Sequence, residues 1–256
     1  MGLESLFIFT LLGGAAAGTY AFETCFTRKR EGCRTWLCVL VATVLFAIGV
    51  IAAATHVQSM QHAFAALFGG TVNFGSGMVR EVGLSGLFLV LLLIDLIITL
   101  VKKDSPYALR VITAIVGVIV MVLMGTAYAD VYGNMVWSNA AATVLSFVAG
   151  DLTMGLAIAA ALGSASYEEK PVVYTMVAVC VLLAIGFGLE ISAFSAVGAN
   201  VATQVAGLVV AAVAPAICVL ANSKFTNKQA LAWLVCVLTV VGVGVARYAF
   251  YATCAL

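Results

Sequence analysis

Charged residues are scarce in this chain. Only 9% of its 256 residues are Asp, Glu, Lys or Arg, whereas soluble domains carry about 25%. Because so few charges cannot cover a water-exposed surface, the composition excludes a soluble globular protein. The 64% share of hydrophobic residues and the mean hydropathy of +1.18 indicate an integral membrane protein. The net charge of +1 gives no sign of nucleic-acid binding, and we predict no nucleic-acid partner.

Residues that bind haem or metal clusters are also few. The only two histidines, His56 and His62, are six residues apart in one segment, so they do not share a helix face. The paired axial histidines of a haem normally come from separate helices. The seven cysteines include no Cys-x-x-Cys pair. We therefore predict that this chain itself holds no haem, no iron–sulfur cluster and no metal.

Long apolar runs account for most of the sequence. A helix needs about 20 apolar residues to cross the roughly 30 Å hydrocarbon layer of a membrane. Eight runs meet this length: Leu3–Phe22, Trp36–Ala54, Gly83–Val101, Ala108–Tyr128, Ala140–Leu162, Val172–Ile191, Val201–Leu220 and Ala230–Phe250. They lack the alternating polar residues of barrel strands. The sequence predicts an all-α fold, a polytopic bundle of eight transmembrane helices that forms one domain over residues 1–256.

The basic residues are distributed unevenly between the linkers. Ten of the twelve Lys and Arg residues lie in or beside the linkers after spans one, three, five and seven. The positive-inside rule places these linkers in the cytoplasm. Both termini are then predicted to be extracytoplasmic, and so is the Thr55–Val82 segment between spans two and three. The expected location is the cell membrane, with multiple passes.

Four ionisable residues fall inside the predicted spans, where a charge costs roughly 2.5–3.5 kcal/mol. We expect Asp95 to be hydrated near Lys102 and Lys103, and Glu190 to be solvated by headgroups at the outer end of span six. Asp151 lies in the middle of its span. It is expected to pair with Arg247 or to bond to a neighbouring helix.

The Thr55–Val82 segment gathers groups that exchange protons. His56 follows span two and Glu81 precedes span three, so a short connection would return both to one membrane face at a similar depth. An imidazole and a carboxylate there could each accept a hydroxyl proton from a hydroquinone. Arg80 could hold Glu81 ionised. On spacing alone, an interfacial histidine beside a surface ion pair is the better interpretation.

Five short blocks occur in a characteristic order along the chain. They are Ile8-Phe9-Thr10, Ile51-Ala52-x-x-x-His56, Val79-Arg80-Glu81, Tyr128 with Trp137, and Arg247-x-x-Phe250-Tyr251. Together they resemble the membrane anchor subunit of dimethyl sulfoxide reductase, the DmsC-type anchor of molybdopterin oxidoreductases. Eight spans with both termini outside also fit that family.

The resemblance implies a function for the chain. Such an anchor binds menaquinol or menaquinone and holds an iron–sulfur subunit and a molybdopterin catalytic subunit at the membrane. The resemblance implies that His56 and Glu81 bind and deprotonate menaquinol and that Arg80 tunes Glu81. Tyr128 and Trp137 are expected to line the quinol pocket or to dock the iron–sulfur subunit. No role is predicted for His62.

Three other functions stay open at this stage. One is a related anchor of the polysulfide or nitrite reductase type, running toward quinone reduction. Another is a transporter of a small solute or ion that uses Asp151 and Arg247. A purely structural scaffold would bind no quinol. The terminal electron acceptor is not encoded in this chain, because the partner catalytic subunit selects it.

Overall fold

The computed structural model describes residues 3–26, 35–56, 75–129, 131 and 133–253. All regular structure in these residues is helical, and eight helices are long and apolar enough to cross a membrane. They are α1 (Leu3–Phe26), α2 (Thr35–His56), α3 (Gly77–Lys102), α4 (Tyr107–Ala129), α5 (Ala140–Ala161), α6 (Lys170–Ala196), α7 (Ala202–Leu220) and α8 (Lys228–Ala252). The predicted all-α architecture with eight spans is confirmed.

Local sequence explains where several helices begin, end or distort. Asn139 and Asn227 cap α5 and α8, and their side-chain oxygens accept hydrogen bonds from backbone N–H groups in the first turn. Lys103 adopts a left-handed conformation (φ 62°) that ends α3. In α7 a π-helical turn, Leu208–Val213, precedes Pro215. A proline ring clashes with the carbonyl four residues earlier, so a widened turn is expected there.

The eight helices form two groups of four. Within the first group, α1 packs on α2, α2 on α3, α3 on α4, and α4 on α1. Within the second group, α5 packs on α6, α6 on α7, α7 on α8, and α8 on α5. The groups meet where α1 contacts α5 and α8, and where α4 contacts α5. Helices α1 and α5 are therefore the most buried, while apolar side chains on the outer helices face outward.

Small residues let the two central helices approach closely. The first span carries the run Gly13–Gly18, which predicts tight helix packing. In the structure, a Cβ atom added to Gly155 of α5 would lie 2.1 Å from the backbone carbonyl carbon of Gly18 in α1. No side chain fits in that space. The expected tight packing of α1 is confirmed, and it brings the two groups of helices together.

Two expectations for buried charges are wrong. Asp95 is not hydrated: it has 0% exposure, accepts a hydrogen bond from the Tyr20 hydroxyl at 2.8 Å and lies 3.9 Å from the Arg110 guanidinium. Glu190 is not solvated by headgroups: it is 3% exposed and accepts a hydrogen bond from the Ser146 hydroxyl. In both cases a neighbouring helix supplies a polar partner inside the bundle, which makes burial tolerable.

Candidate functional site

Glu81 is a buried carboxyl group near the start of α3. The sequence places it before the third span, but the helix begins at Gly77 and includes it. Its exposure is 8%, and among the described residues its Oε1 atom has no hydrogen-bond partner. The Oγ atom of Ser85, one turn further along, is also buried without a described partner. Two such atoms on one helix face indicate a place that receives a ligand or water.

Arg80 points away from its neighbour Glu81. Its side chain is exposed, and its Nη2 atom donates to the carbonyl oxygen of Gly75 at 3.4 Å. The described residues include no ion pair between Arg80 and Glu81, since adjacent residues on a helix do not face each other. No direct contact among the described residues supports the prediction that Arg80 holds Glu81 ionised, and it stays a prediction.

His56 is the last residue of α2. Helices α2 and α3 pack together as successive spans, so the end of α2 and the start of α3 lie at the same end of the bundle. The expectation that the side chains of His56 and Glu81 meet at one membrane face stays a prediction. The side chain of His56 lies outside the described residues, as does the whole of His62.

Tyr128, near the end of α4, occupies a buried aromatic cluster at the same end of the bundle. Four ring centroids lie 5.3–6.0 Å from that of its own ring: those of Trp137, Phe147, Phe250 and Tyr251. Glu81 lies near the start of α3 and Tyr128 near the end of α4, and these two helices pack on each other. The structure thus places Glu81, Tyr128 and Trp137 toward the same end of the bundle.

Trp137 has no spare hydrogen-bond donor. Its Nε1 atom donates to the carbonyl oxygen of Phe250 at 3.0 Å and lies 3.1 Å from Oγ1 of Thr253. Its ring stacks on that of Phe250 with an interplanar angle of 14°. Because an indole has only this one donor, Trp137 can offer an apolar wall to a ligand but no hydrogen bond.

A hydroxyl contact next to Tyr128 joins α8 to α1. The ring of Tyr251 in α8 packs edge-on against that of Tyr128. The Tyr251 hydroxyl lies 2.9 Å from Oγ1 of Thr10 in α1, which donates to the carbonyl oxygen of Phe7 at 3.3 Å. Sequence reasoning used Thr10 and Tyr251 only as members of family motifs and assigned them no role. The one sequence feature that could have pointed to Thr10 and Tyr251 is a hydroxyl side chain inside an apolar run.

Arg247 forms the expected pair with Asp151. The distance from Nη1 of Arg247 to Oδ1 of Asp151 is 2.8 Å, and the same Nη1 donates to the carbonyl oxygen of Thr10 at 2.8 Å. Nη2 donates to the carbonyl oxygen of Phe147 at 3.1 Å, and the guanidinium carbon lies 4.3 Å from the centre of the Phe147 ring. The pairing predicted from sequence is confirmed.

The space beside this ion pair is small. A cavity of about 10 Å³ is lined by Arg247, Glu190, Ser146 and three apolar side chains. It has room for about one water molecule. Arg247 makes three hydrogen bonds, and the pair joins three helices. These contacts favour a structural role for Asp151 and Arg247 over a role in transport.

Comparison with protein families gives a match along nearly the whole chain. The model of the family described as DMSO reductase anchor subunit (DmsC) matches residues 2–253. The chain belongs to the DmsC family. The resemblance drawn from the sequence motifs is confirmed. A search of curated proteins finds no match.

Membership of the DmsC family fits the architecture described above. Its members are membrane anchor subunits of DMSO reductase-type complexes, and the eight apolar helices of this chain make it a multi-pass membrane protein. The family interacts with quinol and associates with catalytic and iron–sulfur subunits. Within the described part of this DmsC-family anchor, no three His, Cys, Asp or Glu residues cluster as metal ligands.

Proposed function

We propose that this chain binds menaquinol beside Glu81, oxidises it, and passes the electrons to a partner iron–sulfur subunit. A molybdopterin catalytic subunit would use them to reduce the terminal acceptor. The observation that carries this proposal is the buried carboxyl of Glu81, whose Oε1 lacks a partner among the described residues. In a bundle with so few charges, a carboxyl oxygen and a serine hydroxyl one helical turn apart, both without a partner among the described residues, favour a ligand that carries its own hydroxyl groups.

The chemistry assigns one task to each residue. Menaquinol loses two protons and two electrons to become menaquinone. Glu81 accepts one hydroxyl proton and His56 the other, while both electrons leave for the partner subunit. Tyr128 hydrogen-bonds to a ring oxygen, and Trp137 forms part of an apolar wall. Arg80, exposed beside Glu81, is left with a weaker role, adding positive charge at the rim of the site.

The proposed side of the membrane follows from the distribution of charge. If the linkers rich in Lys and Arg are cytoplasmic, the Glu81 end of the bundle is extracytoplasmic. Protons from the quinol are then released on that side. With the catalytic subunits on the same side, the electrons do not cross the membrane and turnover is electroneutral.

Replacement of Glu81 by Gln tests the role of the carboxylate. The isosteric amide cannot accept a proton, so quinol-dependent reduction in membranes that contain the assembled complex should fall about 100-fold or more. Electrons supplied by a reduced viologen directly to the catalytic subunit should give the wild-type rate, which shows that the complex is assembled. Glu4→Gln is the matched control, because Glu4 is exposed at the start of α1. A wild-type quinol rate in Glu81→Gln would refute the assignment.

The identity of the partner subunits tests the rest of the proposal. A DMSO reductase-type complex should purify with one iron–sulfur protein and one large molybdopterin protein. Partners of the polysulfide or nitrite reductase type would keep the quinol chemistry but change the acceptor. A wild-type complex that binds no quinol analogue would favour the structural scaffold.

A further inference from the structure

Three helices of the second group meet at the small polar cavity beside the ion pair. The cavity has a volume of about 10 Å³, and its polar lining consists of Ser146 of α5, Glu190 of α6 and Arg247 of α8. These three side chains are only 3–4% exposed. Because bulk water does not reach them, their polar atoms must find partners inside the bundle.

Arg247 has more N–H groups than its described partners use. A guanidinium carries five N–H donors. Nη1 donates to Asp151 and to the carbonyl oxygen of Thr10, which takes both of its hydrogens, and Nη2 donates once, to the carbonyl oxygen of Phe147. One N–H of Nη2 is therefore left for another acceptor among the surroundings of the described residues.

Glu190 brings acceptor atoms to the same cavity. Its two carboxyl oxygens offer about four acceptor positions, and the Ser146 hydroxyl donates to one of these oxygens, Oε1. Among the described residues, Arg247 forms its ion pair with Asp151 and none with Glu190. A group that can donate and a group that can accept thus line one cavity without touching each other.

We propose that this cavity binds one ordered water molecule, which accepts a hydrogen bond from Arg247 and donates one to Glu190. The volume fits a single water and no larger ligand, and three polar partners are typical of a buried water. A bare cation would be repelled by the guanidinium and a bare anion by the carboxylate. A water molecule, which both accepts and donates, suits both groups.

The bound water joins α6 to the ion pair of α5 and α8. Arg247 contacts Asp151 of α5 directly, at 2.8 Å, and reaches Glu190 of α6 only across the cavity. With the water in place, the guanidinium is linked to both carboxyl groups, since a bridging water is nearly as favourable as a direct hydrogen bond. This water site is independent of the proposed quinol function at Glu81.

X-ray footprinting of the full chain in detergent micelles tests the inference. Radiolysis of a bound water produces hydroxyl radicals where that water sits, so a ring beside it is oxidised although bulk water does not reach it. Phe187 lines the cavity and is 3% exposed. Its ring should be oxidised several-fold faster than that of Phe46, the matched control, which is 0% exposed in an apolar cluster. Equal rates for the two rings would overturn the inference.

Val243→Leu tests whether the water sits in this cavity. Val243 lines the cavity with 2% exposure, and the extra carbon of leucine would take the space of the water. Oxidation of Phe187 should fall to the rate of Phe46, and the midpoint of unfolding in sodium dodecyl sulfate should fall, because the two charged side chains lose a shared partner. Val241→Leu, at a position with 53% exposure, is the matched control and should change neither quantity.

Two results with Val243→Leu would contradict the inference. If the cavity is dry, the added carbon fills a void and the unfolding midpoint rises. If Phe187 is oxidised as fast as in the wild type, the water lies elsewhere. Should the variant fail to accumulate, the comparison of Phe187 with Phe46 in the wild type still decides.

Discussion

Breaking the ion pair between Asp151 and Arg247 should destabilise the chain strongly. Asp151 has 0% exposure, and a Cβ atom added to Gly14 would fall 2.0 Å from its Oδ1 atom. No replacement group can therefore enter beside it from α1. Two variants separate the partners: Asp151→Asn removes the negative charge with little change of volume, and Arg247→Met removes the positive charge and keeps an unbranched stem.

The expected loss of unfolding free energy depends on which partners the remaining residue of the pair keeps. Loss of one member of a buried pair costs about 3–5 kcal/mol. In Asp151→Asn, Arg247 keeps the carbonyl oxygens of Thr10 and Phe147 and the Phe147 ring, so we expect about 3 kcal/mol. In Arg247→Met, Asp151 keeps no charged partner, and we expect about 5 kcal/mol. The double variant leaves no unpaired charge and should cost clearly less than the sum of the two.

Unfolding in mixed micelles provides the measurement. The purified chain is titrated with sodium dodecyl sulfate, and loss of helix gives the free energy of unfolding for the wild type, both single variants and the double variant. If each single variant lost less than about 1 kcal/mol of unfolding free energy, the pair would contribute no more than an exposed salt bridge does. Strictly additive losses would show that the two charges do not stabilise each other. Either result would refute the reasoning.

Three further expectations concern packing, the aromatic cluster and topology. Gly155→Leu should prevent the close approach of α1 and α5 and abolish accumulation of the chain in membranes, whereas Gly188→Leu, which meets no atom within 4 Å, should be tolerated. Trp137→Phe removes the one buried N–H donor of the indole and should cost about 1–3 kcal/mol in the same titration, and Trp36→Phe at an exposed position should cost little. Alkaline phosphatase fused to the C terminus should be active if that terminus is extracytoplasmic, and a fluorescent-protein fusion showing it in the cytoplasm would contradict the proposed topology.

The helices could be predicted because each is an apolar run of membrane-spanning length. The error at α3 shows the limit of that signal. The sequence suggested that the helix starts at Gly83, after the charges of Arg80 and Glu81, whereas it starts at Gly77. A helix does not stop at a charged residue when the backbone hydrogen bonds can continue and the bundle can bury the side chain. The single-domain assignment stays a prediction.

The site could be predicted only in part because its residues come from distant helices. Tyr128 and Trp137 were expected to line the quinol pocket or to dock the iron–sulfur subunit; their ring centroids lie 5.4 Å apart, and the role stays a prediction. Thr10 and Tyr251 are 241 residues apart in sequence and 2.9 Å apart in space. Only the closure of α8 against α1 brings them together, and no local pattern encodes that contact.

The last helix has a consequence for the order in which the molecule is made. Asp151 enters the membrane with α5, long before Arg247 is synthesised with α8, and an unpaired carboxyl there costs roughly 2.5–3.5 kcal/mol. Tyr251 arrives on the same helix as Arg247. A chain interrupted before α8 would contain Asp151 without Arg247, and the rings of Tyr128 and Trp137 without the Tyr251 and Phe250 rings that pack on them. Insertion of α8 would then be the step that both pairs the Asp151 carboxyl and closes the aromatic cluster, so the bundle would reach its folded state only when its last helix is in place.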